Sequence, residues 1–192
     1  MLPLPTLALF AAATLALLLI PGPSVLFIVA RTLEHGRRGG LVSMLGVEAG
    51  ALAHVLAATA GLGALVAASP DALLVLRLAG AAYLLVLGVR ALRGGAVAAA
   101  PAGGRKLFRQ GLLVDALNPK TAMFFVAFLP QFVDPAHGPV WTQTLVLGLT
   151  FVALATLTDG AYALLASRLR RTPRLAKLSG ATYFGLAALT VS

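Results

Sequence analysis

Apolar residues fill long stretches of this chain, and its charged residues gather between them. Crossing about 30 Å of hydrocarbon as a helix takes about 20 residues. Broken at the charge clusters, the sequence offers six candidate runs, at about 6–30, 41–67, 72–92, 107–132, 140–166 and 175–191. The sixth is short. The 15 residues from Leu178 to the end span only about 22 Å at 1.5 Å per residue, so this run must lean on its basic flank or thin the bilayer locally. A linker over 94–106, rich in Gly, Ala and Pro to residue 104, separates three runs from three. The pattern predicts an all-α integral membrane protein. Its six transmembrane helices form one domain over 1–192, with one repeat at about 1–93 and a second at about 107–192. The first run has no positive segment before it and is too long for a signal peptide, so it is expected to be a retained span.

Composition agrees: 59% of the 192 residues are hydrophobic and 11% are charged, against about 45–50% and about 25% in soluble domains. Fifteen Lys and Arg against six Asp and Glu give a formal charge of +9, which on a soluble domain would suggest nucleic acid. The placement of the charges argues otherwise. Arg31, Arg37 and Arg38 follow the first run, and Arg90, Arg93, Arg105, Lys106 and Arg109 surround the linker. Arg168, Arg170, Arg171, Arg174 and Lys177 follow the fifth run. Thirteen of the fifteen cations thus flank odd-numbered loops, while the even loops carry Asp71 and Asp134 and no cation. The positive-inside rule makes the odd loops of this multi-pass protein cytoplasmic and puts both termini outside. Topology accounts for the basic residues, and nucleic acid drops out as a partner. With no cysteine, disulfide scaffolds, thiolate metal sites and dithiol electron carriers are excluded.

The informative positions are those that break a spanning helix or put ionisable groups into hydrocarbon. They are Pro21, Gly22, Pro23 and Ser24 in the first run, Glu48 and His54 in the second, Asp115, Asn118, Pro119 and Lys120 in the fourth, and Asp159 in the fifth. Pro23 lies 8 residues before Arg31, Glu48 8 after Gly40, Asn118 9 after Arg109 and Asp159 9 before Arg168. At 1.5 Å per residue all four lie roughly 12–14 Å inside the boundary. His54 falls about one and a half turns further out, and Asp115 about one turn nearer the cytoplasm. The residue before a proline is pushed out of the α region, while Asn suits an N-cap and Pro the first helical position. A half-helix is therefore expected to start at Asn118-Pro119, and another after Pro21-Gly22-Pro23, with helices 1 and 4 broken near mid-membrane. Two such N-termini favour an anion such as a carboxylate. Lys120 stands in a first turn, where the macrodipole disfavours a cation, so something other than that helix holds it there. Interrupted helices opening two oppositely oriented halves are the pattern of inverted-repeat transporters.

Simpler readings compete with these. Proline kinks often only shape packing. Gly46 and Gly50, continued by Gly61, form a small-residue stripe suited to helix contact. A lone His54 serves packing as readily as proton transfer. Glu48 and Asp159 are harder to dismiss, because an acid at the helix centre costs about 2.5–3.5 kcal/mol on insertion scales.

Pro21-Gly22-Pro23, the basic segment 31–40, the glycine-rich segment 46–63, Asn118-Pro119-Lys120 and the run from Pro130 to Pro135 together resemble the lysine-exporter (LysE) superfamily, in its RhtB, or homoserine/threonine-efflux, branch. The resemblance covers nearly the whole chain. It implies an inner-membrane exporter of amino acids or their derivatives driven by the proton gradient, with no cofactor. Many relatives carry Asn or Asp where this chain has Ser24, and Asn where it has Asp115, so the substrate is not carried over with the family.

Residues and resemblance suggest one mechanism. The half-helix starts, Asn118 and Lys120 meet a substrate carboxylate. Glu48, Asp159, His54 or Asp115 meets its ammonium or exchanges a proton as it leaves. The expected partners are a small amino-acid-like substrate and the lipid bilayer, with a homo-oligomer left open. An enzyme is disfavoured, since His-Glu-x-x-His and Gly-x-Ser-x-Gly are absent and the three histidines are scattered. The serious alternative is an ion or metal-cation carrier ligating through Glu48, Asp159 and His54, against which Lys120 argues by repulsion.

Overall fold

The computed structural model describes residues 2–68 and 107–169. The third and sixth runs, the linker, Asp71, Arg77 and the basic residues at 90–106 and 170–177 lie outside the described residues.

Every regular element among the described residues is helical. Helix α1 covers Leu4–Leu18, α2 Pro23–Ala68, α3 Leu107–Ala116, α4 Pro119–Met123 and α5 Val140–Leu169. Helix α4 continues as a π turn, Phe124–Phe128, and a 3-10 turn, Leu129–Phe132, and a further 3-10 turn, Pro135–His137, leads to α5. Helices α2 and α5 are each long and apolar enough to cross a membrane, and α3 with its continuation is so as a pair bent by 44°.

Both expected breaks are present. Helix α1 winds out through Leu19 N–H to the Leu15 carbonyl and Ile20 N–H to Leu17. Pro21 then excludes the α conformation from Ile20 onward and offers no donor. The chain restarts with Pro23 in the first helical position, and its first ladder bond runs from Leu26 N–H to the Gly22 carbonyl at 3.0 Å. At the second break Asn118 takes an extended conformation (φ −75°, ψ 113°) and caps α4 through its side chain.

The basic segment 31–40, expected as a loop, is helical on both sides of a single residue. Gly36 alone departs from helical geometry, at φ 76° and ψ −177°, a conformation open in practice only to glycine. Its effect is a reversal. Gly40 faces Thr32 so closely that a Cβ on it would collide with the threonine hydroxyl, although eight residues of straight helix would separate them by about 12 Å. Ile28 and Met44 accordingly share one apolar cluster. Charge and glycine mark the edge of the hydrocarbon without preventing helix formation.

Gly46 and Gly50 of the returning arm lie against the backbone of α3. Any Cβ there would strike the Phe108 carbonyl or the Leu112–Ala116 turn, and Gly111 of α3 presses in return on the Ser43 carbonyl. Gly61, expected to extend the stripe, meets nothing within 4 Å among the described residues.

Two apolar clusters result. Phe10, Val55, Phe124, Phe125, Leu129, Leu147 and Phe151 build one, and Phe27, Ile28, Met44, Val47 and Ala163 the other. Along α2 the order is Met44, Val47, Glu48, Ala51, Val55, and along α5 it is Leu147, Phe151, Ala155, Asp159, Ala163. The two acids therefore sit where one cluster gives way to the other.

Candidate functional site

The site is assembled where the two helix breaks meet. Asn118 Oδ1 accepts the Lys120 backbone N–H at 3.0 Å, which fixes the start of α4, and its Nδ2 donates to Ser24 Oγ at 2.8 Å. Ser24 Oγ donates in turn to Asp115 Oδ1 at 2.7 Å. The same oxygen accepts from Thr121 Oγ1 at 2.9 Å and, at 3.4 Å, from Asn118 Nδ2. One carboxylate oxygen in the last turn of α3 thus joins the start of α2 to the start of α4. Counting along the chain put Asp115 a turn nearer the cytoplasm than the other anomalies. The turn at Leu117-Asn118 instead brings it among them, at 3% exposure.

Glu48 and Asp159 come from the facing helices α2 and α5, at 6% and 4% exposure. They are buried against protein, as the cost of a charge facing lipid requires. Both oxygens of Glu48, and Oδ2 of Asp115, are buried without a hydrogen-bond partner among the described residues. Gly22, Ser24, Glu48, Asp115, Asn118, Lys120 and Asp159 line one cavity of about 40 Å³ together with Thr121 and the apolar Leu17, Leu18, Phe124 and Phe151. That volume holds water and is smaller than an amino acid, and the cavity is partly open.

Lys120 lies in the cavity wall but does not point its ammonium at an acid. Nζ donates to the carbonyls of Leu17 at 3.0 Å and Ile20 at 2.6 Å, the open end of α1. Terminal carbonyls lack ladder partners and carry the negative end of the macrodipole, so Lys120, unfavourable for its own helix, is favourable for α1. Tyr162 of α5 donates to a further carbonyl at this end, Leu19, at 2.9 Å.

Four of the expected residues stand outside the lining. Pro21, Pro23 and Pro119 shape the breaks. His54 has its Nε2 3.1 Å from the Asp115 carbonyl oxygen, and its ring stacks on Phe125 at 5.9 Å between centroids. The trio Glu48, Asp159 and His54 required by a metal carrier does not converge, and among the described residues no group of three or more metal-ligating side chains does. Thr121 is not among the residues that the sequence singles out. A hydroxyl just after a helix break, three residues from its Asn cap, is the signal that could have found it.

The chain resembles known exporters along most of its length. It is 35% identical over 157 residues to a homoserine/homoserine lactone efflux protein of Salmonella typhi, covering 79% of this chain and 75% of the relative. It is 30% identical over 192 residues to a leucine efflux protein of Enterobacter sp. (strain 638), covering 92% and 90%, and 33% identical over 183 residues to a membrane protein of Vibrio cholerae, covering 89% of each. No solved structure matches it significantly. The family described as LysE type translocator matches residues 15–191, and with its broken helices and polar seam the chain belongs to that family.

Proposed function

We propose that this protein exports an amino acid or amino-acid derivative from the cytoplasm in exchange for protons. The observation that carries the reading is the convergence of Glu48, Asp115, Asp159 and Lys120 on one small cavity between two helix breaks. A zwitterion needs opposite charges a few ångströms apart. An antiporter also needs an acid that gives up its proton on one side and regains it on the other. Glu48 and Asp159, buried on facing helices, suit the second task. Names of relatives, homoserine or homoserine lactone efflux and leucine efflux, supply the substrate class. The full carrier in this reading is a single domain of six spans in two inverted three-helix repeats, lying in the inner membrane with both termini outside. The described helices and the charge pattern are compatible with it.

Uptake of labelled amino acids into inverted membrane vesicles, with and without an imposed pH gradient, tests this directly. Accumulation of one or a few amino acids that collapses with the gradient is the expected result. Uptake that ignores the gradient overturns proton coupling, and uptake of a metal cation in place of any amino acid overturns the exporter.

A further inference from the structure

We infer that Lys120 is a latch worked by the substrate's carboxylate: its ammonium holds the end of α1 shut while the site is empty, and a bound carboxylate draws it away and frees that end. This inference rests on the reading of the cavity as a carrier site for amino acids.

Three observations carry it. First, Nζ is bonded to Leu17 and Ile20 of α1 while its stem lines the cavity, so one side chain touches both the site and the segment that closes it. Second, the fit is specific. Gly22 lies under the lysine stem, and a Cβ there would approach Cδ to 3.0 Å and Nζ to 3.5 Å. Third, an ammonium has three donors, and the carbonyls of α1 engage two of them. The third can meet an incoming anion before the first two are released, so no step leaves the charge unpartnered.

The energetic direction follows from the partners. Bonds from an ammonium to a carbonyl and to a carboxylate are both charge-assisted, and the carboxylate adds a full opposite charge away from bulk water. A substrate carboxylate arriving beside Lys120 on the α1 side therefore competes for the ammonium with the Leu17 and Ile20 carbonyls. The end of α1 then loses its charged partner and keeps Tyr162 on the Leu19 carbonyl and its own backbone bonds from Leu19 to Leu15 and from Ile20 to Leu17, and the small cavity gains room on that side. An amine without a carboxylate cannot make the exchange, so the latch is also a filter.

The absence of native cysteine makes the test direct. Leu18→Cys places a thiol in the cavity wall at the end of α1, and its labelling by a water-soluble maleimide is followed in membrane fragments open on both faces. With Lys120 present, labelling is expected to be slow, to quicken with L-leucine or L-homoserine, and to be unmoved by the corresponding amides. In the background of Lys120→Met it is expected to be fast without ligand, by roughly tenfold for the loss of charged hydrogen bonds, and to gain nothing from either acid. Lys120→Arg keeps donors for the α1 carbonyls and is expected to stay slow. Unchanged labelling in Lys120→Met, or acceleration by the amides as by the acids, overturns the latch. Fast labelling in Lys120→Arg does so too, because the segment then opens for any change of side chain. A carboxylate-dependent labelling response in a protein that moves no amino acid in vesicles would defeat the exporter reading and leave the latch standing.

Discussion

Ser24 Oγ donates to Asp115 Oδ1 at 2.7 Å across 91 residues of sequence, tying the start of one interrupted helix to the end of another. Asn118 and Thr121 converge on the same pair, so a single carboxylate oxygen is the joint at which α2, α3 and α4 meet. The expected consequence is a graded loss of stability. Asp115→Ala takes the acceptor from both the Ser24 and Thr121 hydroxyls and should cost more than Ser24→Ala, after which Asp115 still accepts from Thr121 and the Asn118 amide still reaches Asp115 at 3.4 Å. A buried group left unsatisfied costs about 1–3 kcal/mol. Thermal unfolding of the two variants in detergent measures the order, and equal losses would mean that the hub is not where the strength lies.

Asp159→Asn should separate transport from its driving force. The amide fills the same space between Ala155 and Ala163 of α5 but cannot carry a proton. Exchange of labelled for unlabelled substrate across vesicles is expected to survive, while accumulation driven by a pH gradient falls to the level seen without one. Full gradient-driven accumulation by this variant would assign the proton elsewhere, with Glu48→Gln the next variant to measure.

Gly46→Leu is expected to drive α2 and α3 apart, since its side chain would enter the space held by the Phe108 backbone. Overpacking of this kind costs about 1–3 kcal/mol. Gly61→Leu makes the contrast. Among the described residues nothing lies within 4 Å of that position, so a change within about 0.5 kcal/mol is expected. Melting temperatures of the two proteins, prepared alike, decide whether the glycine stripe is an interface along its length or only over its first two members.

What could be read from the sequence was what is local. Pro21-Gly22-Pro23 and Asn118-Pro119 announce their breaks because a proline's missing donor and its restriction of the preceding residue act over one or two positions. Glu48 and Asp159 stood out because a charge in hydrocarbon is costly wherever it faces. What could not be read was rotation. Depth along a helix follows from counting, but the direction in which Lys120 leaves α4 depends on where the end of α1 has been placed, a hundred residues earlier. Asp115 was displaced from its true neighbours because the count assumed a straight helix through the turn that brings it to Ser24. The basic segment 31–40 looked like a loop because its charges mark the membrane edge, while Gly36 alone accomplishes the reversal. Asn118, Ser24 and Lys120 were all flagged, yet their shared cavity is a property of five helices together.

The π turn at Phe124–Phe128 sets a register. Pro130 offers no N–H to the Val126 carbonyl, and the chain meets that loss by widening to the π turn and then tightening to a 3-10 turn before Val133. Each residue of an ordinary helix advances its neighbours by about 100°, so a π turn acts as one residue inserted into the count. Phe124, Phe128 and Phe132, spaced four apart, all reach the ring of Phe10, at 5.9, 6.1 and 5.1 Å, across the π and 3-10 turns. A chain shortened by one residue here would turn the side chains beyond it by about 100° and present others to α1. The aromatic wall beside the cavity is thus indexed by a single irregularity, and hydrophobicity alone would not preserve it.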